Sequence, residues 1–157
     1  MKTRWMLLAG ALLTAAMASG APDVALAHDF SLECSPALLD GLYIFAATGW
    51  GVLPNTTPVP DPLPPKAIIE WVRFNGDGTL SSAGATKSLN GMVSPSPGGT
   101  TGTYTLADVD TGCQGTVTFG TGQTFDIFTS VFASGEIWMI QTNQNNVFRG
   151  NATKVAR

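Results

Sequence analysis

The sequence predicts an all-β fold: a single antiparallel up-and-down barrel of about eight strands, with a Pro-rich loop after the first strand. Three observations carry this. Short apolar segments recur in series from Gly41 to Lys154. The gaps between them are rich in Gly, Asn, Asp and Ser, the residues that supply turns. Several segments alternate with a period of two, as a strand with two different faces requires.

The elements follow in order. Residues 30–40 hold Pro36 and Leu38-Leu39 and read as a short segment with one helical turn that plugs an end of the barrel. Residues 42–48 form the first strand. Residues 49–66 hold six of the ten prolines, at 54, 58, 60, 62, 64 and 65. Proline gives a ladder no N–H and favours extended geometry, so this stretch is a loop. Residues 67–74 are the second strand. Asn75-Gly76-Asp77-Gly78 is a strong hairpin signal, because Asn and Gly tolerate positive φ. The third strand, 79–89, is weaker, and 94–99 reads as a second proline-glycine loop. Strands at 101–107, 113–119, 124–132, 136–142 and 147–153 complete the series.

Alternation within these strands is uneven. In residues 113–119, Cys113, Gly115, Val117 and Phe119 share one face, opposite Gln114, Thr116 and Thr118. The strands around Phe125–Phe128 and Ile137–Ile140 carry large apolar groups on both faces. A strand apolar on both faces needs cover on both. The barrel interior supplies one, and the N-terminal segment, the proline loop or a second subunit the other. Self-association is therefore an open expectation.

The N-terminus reads as an export signal. Lys2 and Arg4 precede an uncharged run over residues 5–17, and Ala25-Leu26-Ala27 offers the small residues that a signal peptidase reads. The run is about 13 residues, short of the roughly 20 that span a bilayer. The expected organisation is a signal peptide at 1–27 and one domain at 28–157, secreted or periplasmic, without membrane insertion. After Ala27 the chain carries six Lys/Arg against ten Asp/Glu, which argues against nucleic acid and anionic lipid, since both need clustered cations.

Two cysteines, Cys34 and Cys113, allow one pairing. In an exported chain a disulfide is the favoured reading. Two free thiols or a metal pair are the rivals, and two cysteines without histidine partners make a poor metal site.

The combination of Gly41-x-Tyr43-x-Phe45, Gly102-Thr103-Tyr104, Cys113-x-Gly115-Thr116, Phe125-Asp126 and Val147-x-Arg149-Gly150 resembles a group of small exported bacterial β-barrel proteins. These are similar in plan to calycins such as lipocalins, and to allene oxide cyclase-type barrels. The resemblance covers roughly residues 34–150. The lipocalin Gly-x-Trp start is replaced by Gly41-Leu42-Tyr43. The resemblance implies an apolar pocket inside the barrel and, for cyclase-like members, isomerisation or cyclisation of an apolar substrate.

Absences narrow the chemistry further. His28 is the single histidine, so there is no Ser-His-Asp triad and no ordinary catalytic zinc site. No metal or cofactor is expected. Asp108-Val109-Asp110-Thr111-Gly112 reads as a solvated turn rather than a calcium loop. Glu70, Asp126 and Arg149 stand inside strands. They either face water or form a polar anchor in the lumen, where a buried carboxylate could act as acid or base. Tyr43, Trp71, Tyr104, Phe128, Trp138 and Phe148 are either packed core or the lining of a hydrophobic pocket. Trp50, at the start of the proline loop, is placed as a lid over the barrel mouth. Three functions stay open: binding of a small hydrophobic ligand, a cofactor-free isomerase or cyclase using Glu70, Asp126 and Arg149, and a structural or interaction module with a packed interior.

Overall fold

Side chains on a strand point alternately to its two faces, and burial along this chain follows that rule closely. In the computed structural model, which describes residues 33–53, 55–110, 112–130 and 135–156, the strands are β1 (Gly41–Gly51), β2 (Pro65–Phe74), β3 (Thr79–Leu89), β4 (Met92–Ser96), β5 (Thr101–Val109), β6 (Gly112–Phe119), β7 (Thr124–Thr129), β8 (Glu136–Gln141) and β9 (Asn146–Ala156). The expected signal peptide and His28 lie outside the described residues.

Neighbouring strands pair antiparallel in the order β2-β1-β9-β8-β7-β6-β5-β3, and β2 also pairs with β3. That last pairing closes the sheet into an eight-stranded barrel. β4 pairs with β3 and stands outside the ring.

The β2–β3 turn forms as its sequence predicts. Gly76 and Gly78 take φ of 76° and 90°, and Asp77 Oδ1 accepts hydrogen bonds from the Thr79 N–H and hydroxyl at 2.9 and 2.6 Å.

Three expectations need correction. The loop expected over residues 49–66 is strand at both ends, because β1 runs on to Gly51 and β2 starts at Pro65, so that Gly49 pairs with Lys66 and Trp50 with Pro65. Part of the stretch expected as a loop at 94–99 is strand, because Asn90-Gly91, at φ of 50° and 79°, turns the chain back tightly enough for Met92 to pair with Leu89. Pro95 is tolerated because β4 has a partner on one side only, which leaves a position where no N–H is required. The strand expected over 124–132 ends at Thr129, and residues 131–134 lie outside the described set.

One end of the barrel is stoppered. Pro36–Leu39 form a 3-10 turn, and Leu39 is fully buried. The Tyr104 hydroxyl donates to the Pro36 carbonyl (2.8 Å) and accepts from the Gly76 N–H (3.0 Å). The rings of Tyr43, Phe74 and Tyr104 meet edge to face, with centroids 5.2 and 4.9 Å apart, the arrangement that aromatic quadrupoles favour. Cys34 and Cys113 form the expected disulfide, with Cα atoms 5.5 Å apart. The Cys34 N–H donates to Asp108 Oδ1 at 3.0 Å, so Asp108, expected in a solvated turn, lies near the end of β5 and fastens the N-terminal segment.

The opposite end is open. β3 pairs with β5 only over Thr79–Ser81 and then continues to Leu89 between β2 and β4. The register of β2 and β3 slips between Trp71 and Val72, a bulge that bends the strand where it leaves β5. Gly98, at φ 83°, packs against that bulge so closely that a Cβ would lie 2.6 Å from the Ala83 carbonyl carbon. The resulting flap of β2, β3 and β4 forms one side of the mouth.

Candidate functional site at the barrel mouth

The interior is filled from the stoppered end to about half its height. Tyr43, Phe74, Leu80, Val117 and Ile127 leave 0–1% of their surface exposed. Towards the mouth the packing opens into a pocket of about 460 Å³, within the range of small-molecule sites. The flap supplies one wall through the inward positions of β2 and β3: Lys66, Ile68 and Glu70 face the pocket opposite Leu89, Lys87 and Ala85. Phe45, Phe119, Phe125 and Phe148 form the apolar wall across from it. Leu53, from the loop after β1, reaches the same space.

Three ionisable groups line the pocket, Lys66, Glu70 and Lys87, and of these Lys87 is exposed while Lys66 and Glu70 are drawn into it. Lys66 Nζ donates to Gln141 Oε1 at 2.6 Å and to Asn146 Oδ1 at 2.5 Å, and it lies 4.2 Å from the centroid of the Phe148 ring. These neighbours are neutral, and burial lowers the lysine to about 8. Glu70 is 9% exposed. Burial pushes its carboxyl above the ordinary value, opposed by a hydrogen bond from Ser82. Four residues along one strand separate the Cα atoms of Lys66 and Glu70 by roughly 13 Å. The Lys66 ammonium is held by Gln141 and Asn146 rather than by Glu70, so the two groups mark two levels of a long cavity.

The structure separates the remaining sequence candidates. Phe148 lines the pocket, as one of the two readings has it. Tyr43 and Tyr104 belong to the stopper end, where burial pushes the Tyr43 hydroxyl up to about 12, with Tyr104 and Asp40 adding smaller effects. Trp71, Phe128 and Trp138 are neither core nor lining: they stand 43%, 45% and 61% exposed on the outer wall. The cause is the phase of alternation. On β7 and β8, Phe125, Ile127, Ile137 and Met139 take the inner face, so Phe128 and Trp138 must point out. Trp50 is likewise no lid. It is an outward residue of β1, paired between Pro65 and Val147, and Leu53 takes the place expected of it at the mouth.

Of Glu70, Asp126 and Arg149, only Glu70 faces the interior. Asp126 follows inward Phe125, and Arg149 follows inward Phe148, so both lie on the outer face. The three do not converge. Sequence reasoning passed over Lys66 because it reads as the last residue of the proline loop. The signal was available: Lys66, Ile68, Glu70, Val72 and Phe74 alternate in one phase, and Val72 and Phe74 are core.

Among the described residues there is no cluster of three or more His, Cys, Asp or Glu side chains able to hold a metal, and no helix is long and apolar enough to cross a membrane. No known protein family, curated protein or solved structure matches the chain.

Proposed function

We propose that this is an exported carrier for a small amphiphile, an apolar molecule with an anionic head such as a medium-chain carboxylic acid, held in the barrel mouth. One observation carries the reading: an apolar pocket whose half-buried cation, Lys66, has only neutral hydrogen-bond partners. A buried charge without a counter-charge is costly, and a carboxylate beside Lys66 removes that cost through a charge-assisted hydrogen bond. The tail then lies against Phe45, Phe119 and Phe125, where each buried methylene contributes about 0.8 kcal/mol. Glu70 sits deeper, and burial raises its affinity for a proton, which disfavours a second negative charge beside the ligand. The disulfide and the leader-like N-terminus support export, and the resemblance to calycin-type barrels fits an interior binding site.

Calorimetric titration tests this with three probes: a medium-chain carboxylic acid, the alcohol of equal length, and acetate. The acid is expected to bind at one site per chain, more tightly than the alcohol, with acetate too short to bind. Ala85→Trp, which fills the pocket, should abolish binding. Lys66→Met should erase the preference for acid over alcohol. Binding of the acid that survives Ala85→Trp unchanged, or a preference that survives Lys66→Met, overturns the reading.

A further inference from the structure

The outer surface of the barrel has two unlike halves. On β5 and β6 most outward positions are polar, among them Thr103, Thr105, Gln114, Thr116 and Thr118, with Ala107 and Val109 the apolar ones, and the hydroxyls of Thr105 and Thr116 lie 3.0 Å apart. On β2, β1 and β8 they are largely apolar, and on β9 and β7 Val147 and Phe128 stand among polar residues such as Arg149, Asn151 and Asp126. Ile69, Trp138, Ile140 and Val147 are each half exposed or more, and a groove of about 700 Å³ runs between Ile69 and Trp138. An apolar surface of this extent on one side of a barrel marks a contact site.

The charges in this wall are arranged about its middle strand. Register places Arg149 on β9, Ile140 on β8 and Asp126 on β7 side by side in one row. Strands are about 4.8 Å apart, so arginine and aspartate stand roughly 10 Å from each other, one on either side of the isoleucine. Neither makes a side-chain hydrogen bond or ion pair among the described residues. The row is self-complementary. A twofold axis lying in the interface along β8 sets each arginine against the aspartate of the other copy, lays Ile140 and Trp138 on their own symmetry mates, and brings the two sheets together in the aligned packing that sheets prefer.

We propose that the outer wall centred on β8 is an interface between two copies of this chain, closed by two Arg149–Asp126 pairs. The proposal stands independently of the mouth pocket, which opens at one end of the barrel rather than on its side. A lipid bilayer is a poorer occupant, because the threonine half would face the same hydrocarbon. A different protein would have no reason to match a row that complements itself.

Sedimentation equilibrium on the chain purified from an exporting host tests this, with circular dichroism confirming that each variant is folded. Wild type is expected to be a dimer. Asp126→Arg and Arg149→Asp should each weaken dimerisation by roughly tenfold or more, since each turns an attractive pair into a like-charge contact. The double variant Asp126→Arg/Arg149→Asp exchanges the charges and should restore the dimer. A wild-type chain that stays monomeric, or a double variant no better than the singles, overturns the proposal, and so does binding to neutral lipid vesicles in place of dimerisation.

Discussion

Glu70 shows how one buried side chain ties stability to pH. Its carboxyl binds a proton more tightly folded than unfolded, because burial disfavours the charge. The stabilising contribution is therefore full below the ordinary glutamate value of 4.5 and is lost as pH rises through the higher folded value. Glu70→Gln removes the ionisation and keeps the hydrogen-bonding shape. It should raise the melting temperature at neutral pH and leave it nearly unchanged below pH 4.5, read by circular dichroism melts at the two pH values. Lys66 has the opposite sign. Its folded value, about 8, lies below the ordinary 10.5, so its contribution is present above 10.5 and is lost as pH falls through 8. A bound carboxylate would favour the charged lysine, so ligand and acidification act together at this residue.

At the scale of elements, the barrel depends on its two ends being built differently. The disulfide closes the stopper across 79 residues of sequence. Replacing both cysteines, Cys34→Ser with Cys113→Ser, is expected to lower the unfolding free energy by about 2–4 kcal/mol in urea melts. At the mouth, Gly98 is the joint between the loop before β5 and the bulge of β3. Its neighbour Gly99 donates its N–H to the Ser82 carbonyl at 2.8 Å, and the Ser82 N–H donates to the Thr100 carbonyl at 2.7 Å. Gly98→Val brings a Cβ against backbone and a φ that branched side chains avoid. The expected result is faster hydrogen exchange of the Ser82 and Gly99 amides, with exchange at Tyr43 and Val117 unchanged.

Most of these elements were legible in the sequence, and the exceptions share a cause. Asn75-Gly76-Asp77-Gly78 names its own turn, and the alternation of Cys113, Gly115, Val117 and Phe119 names its own face. β4 was missed because Pro95 argues against a strand until its position outside the ring is known. The outward Trp71, Phe128 and Trp138 were missed because a strand with large apolar groups on both faces does not reveal its phase. Phase is set by closure of the whole barrel, through partners distant in sequence such as Glu70 and Phe45. The same holds for the proposed site: Lys66 becomes notable only when β8 and β9 bring Gln141, Asn146 and Phe148 beside it.

For the whole molecule, one polymer solves two problems by sorting its apolar residues. The inward set packs the lower barrel and lines the mouth, and much of the outward set, Trp50, Ile69, Trp71, Trp138 and Ile140 among it, lies on β1, β2 and β8, with Met92 and Val93 exposed separately on β4. A chain with so few charges, 12% of its residues, leaves that outer wall without the polar cover usual on a solitary domain. Pairing of two barrels through it would leave both mouths free to exchange ligand.

The most direct measurement of the central claim is an NMR titration of the ¹⁵N-labelled protein with a medium-chain carboxylic acid. Shift changes should saturate at one equivalent and concentrate on Ile68, Ala85, Phe125 and Phe148, with the Lys66 side-chain signal moving most. Saturable shifts confined to the outer wall around Trp138, or no saturable shifts at all, would contradict a ligand site in the barrel mouth.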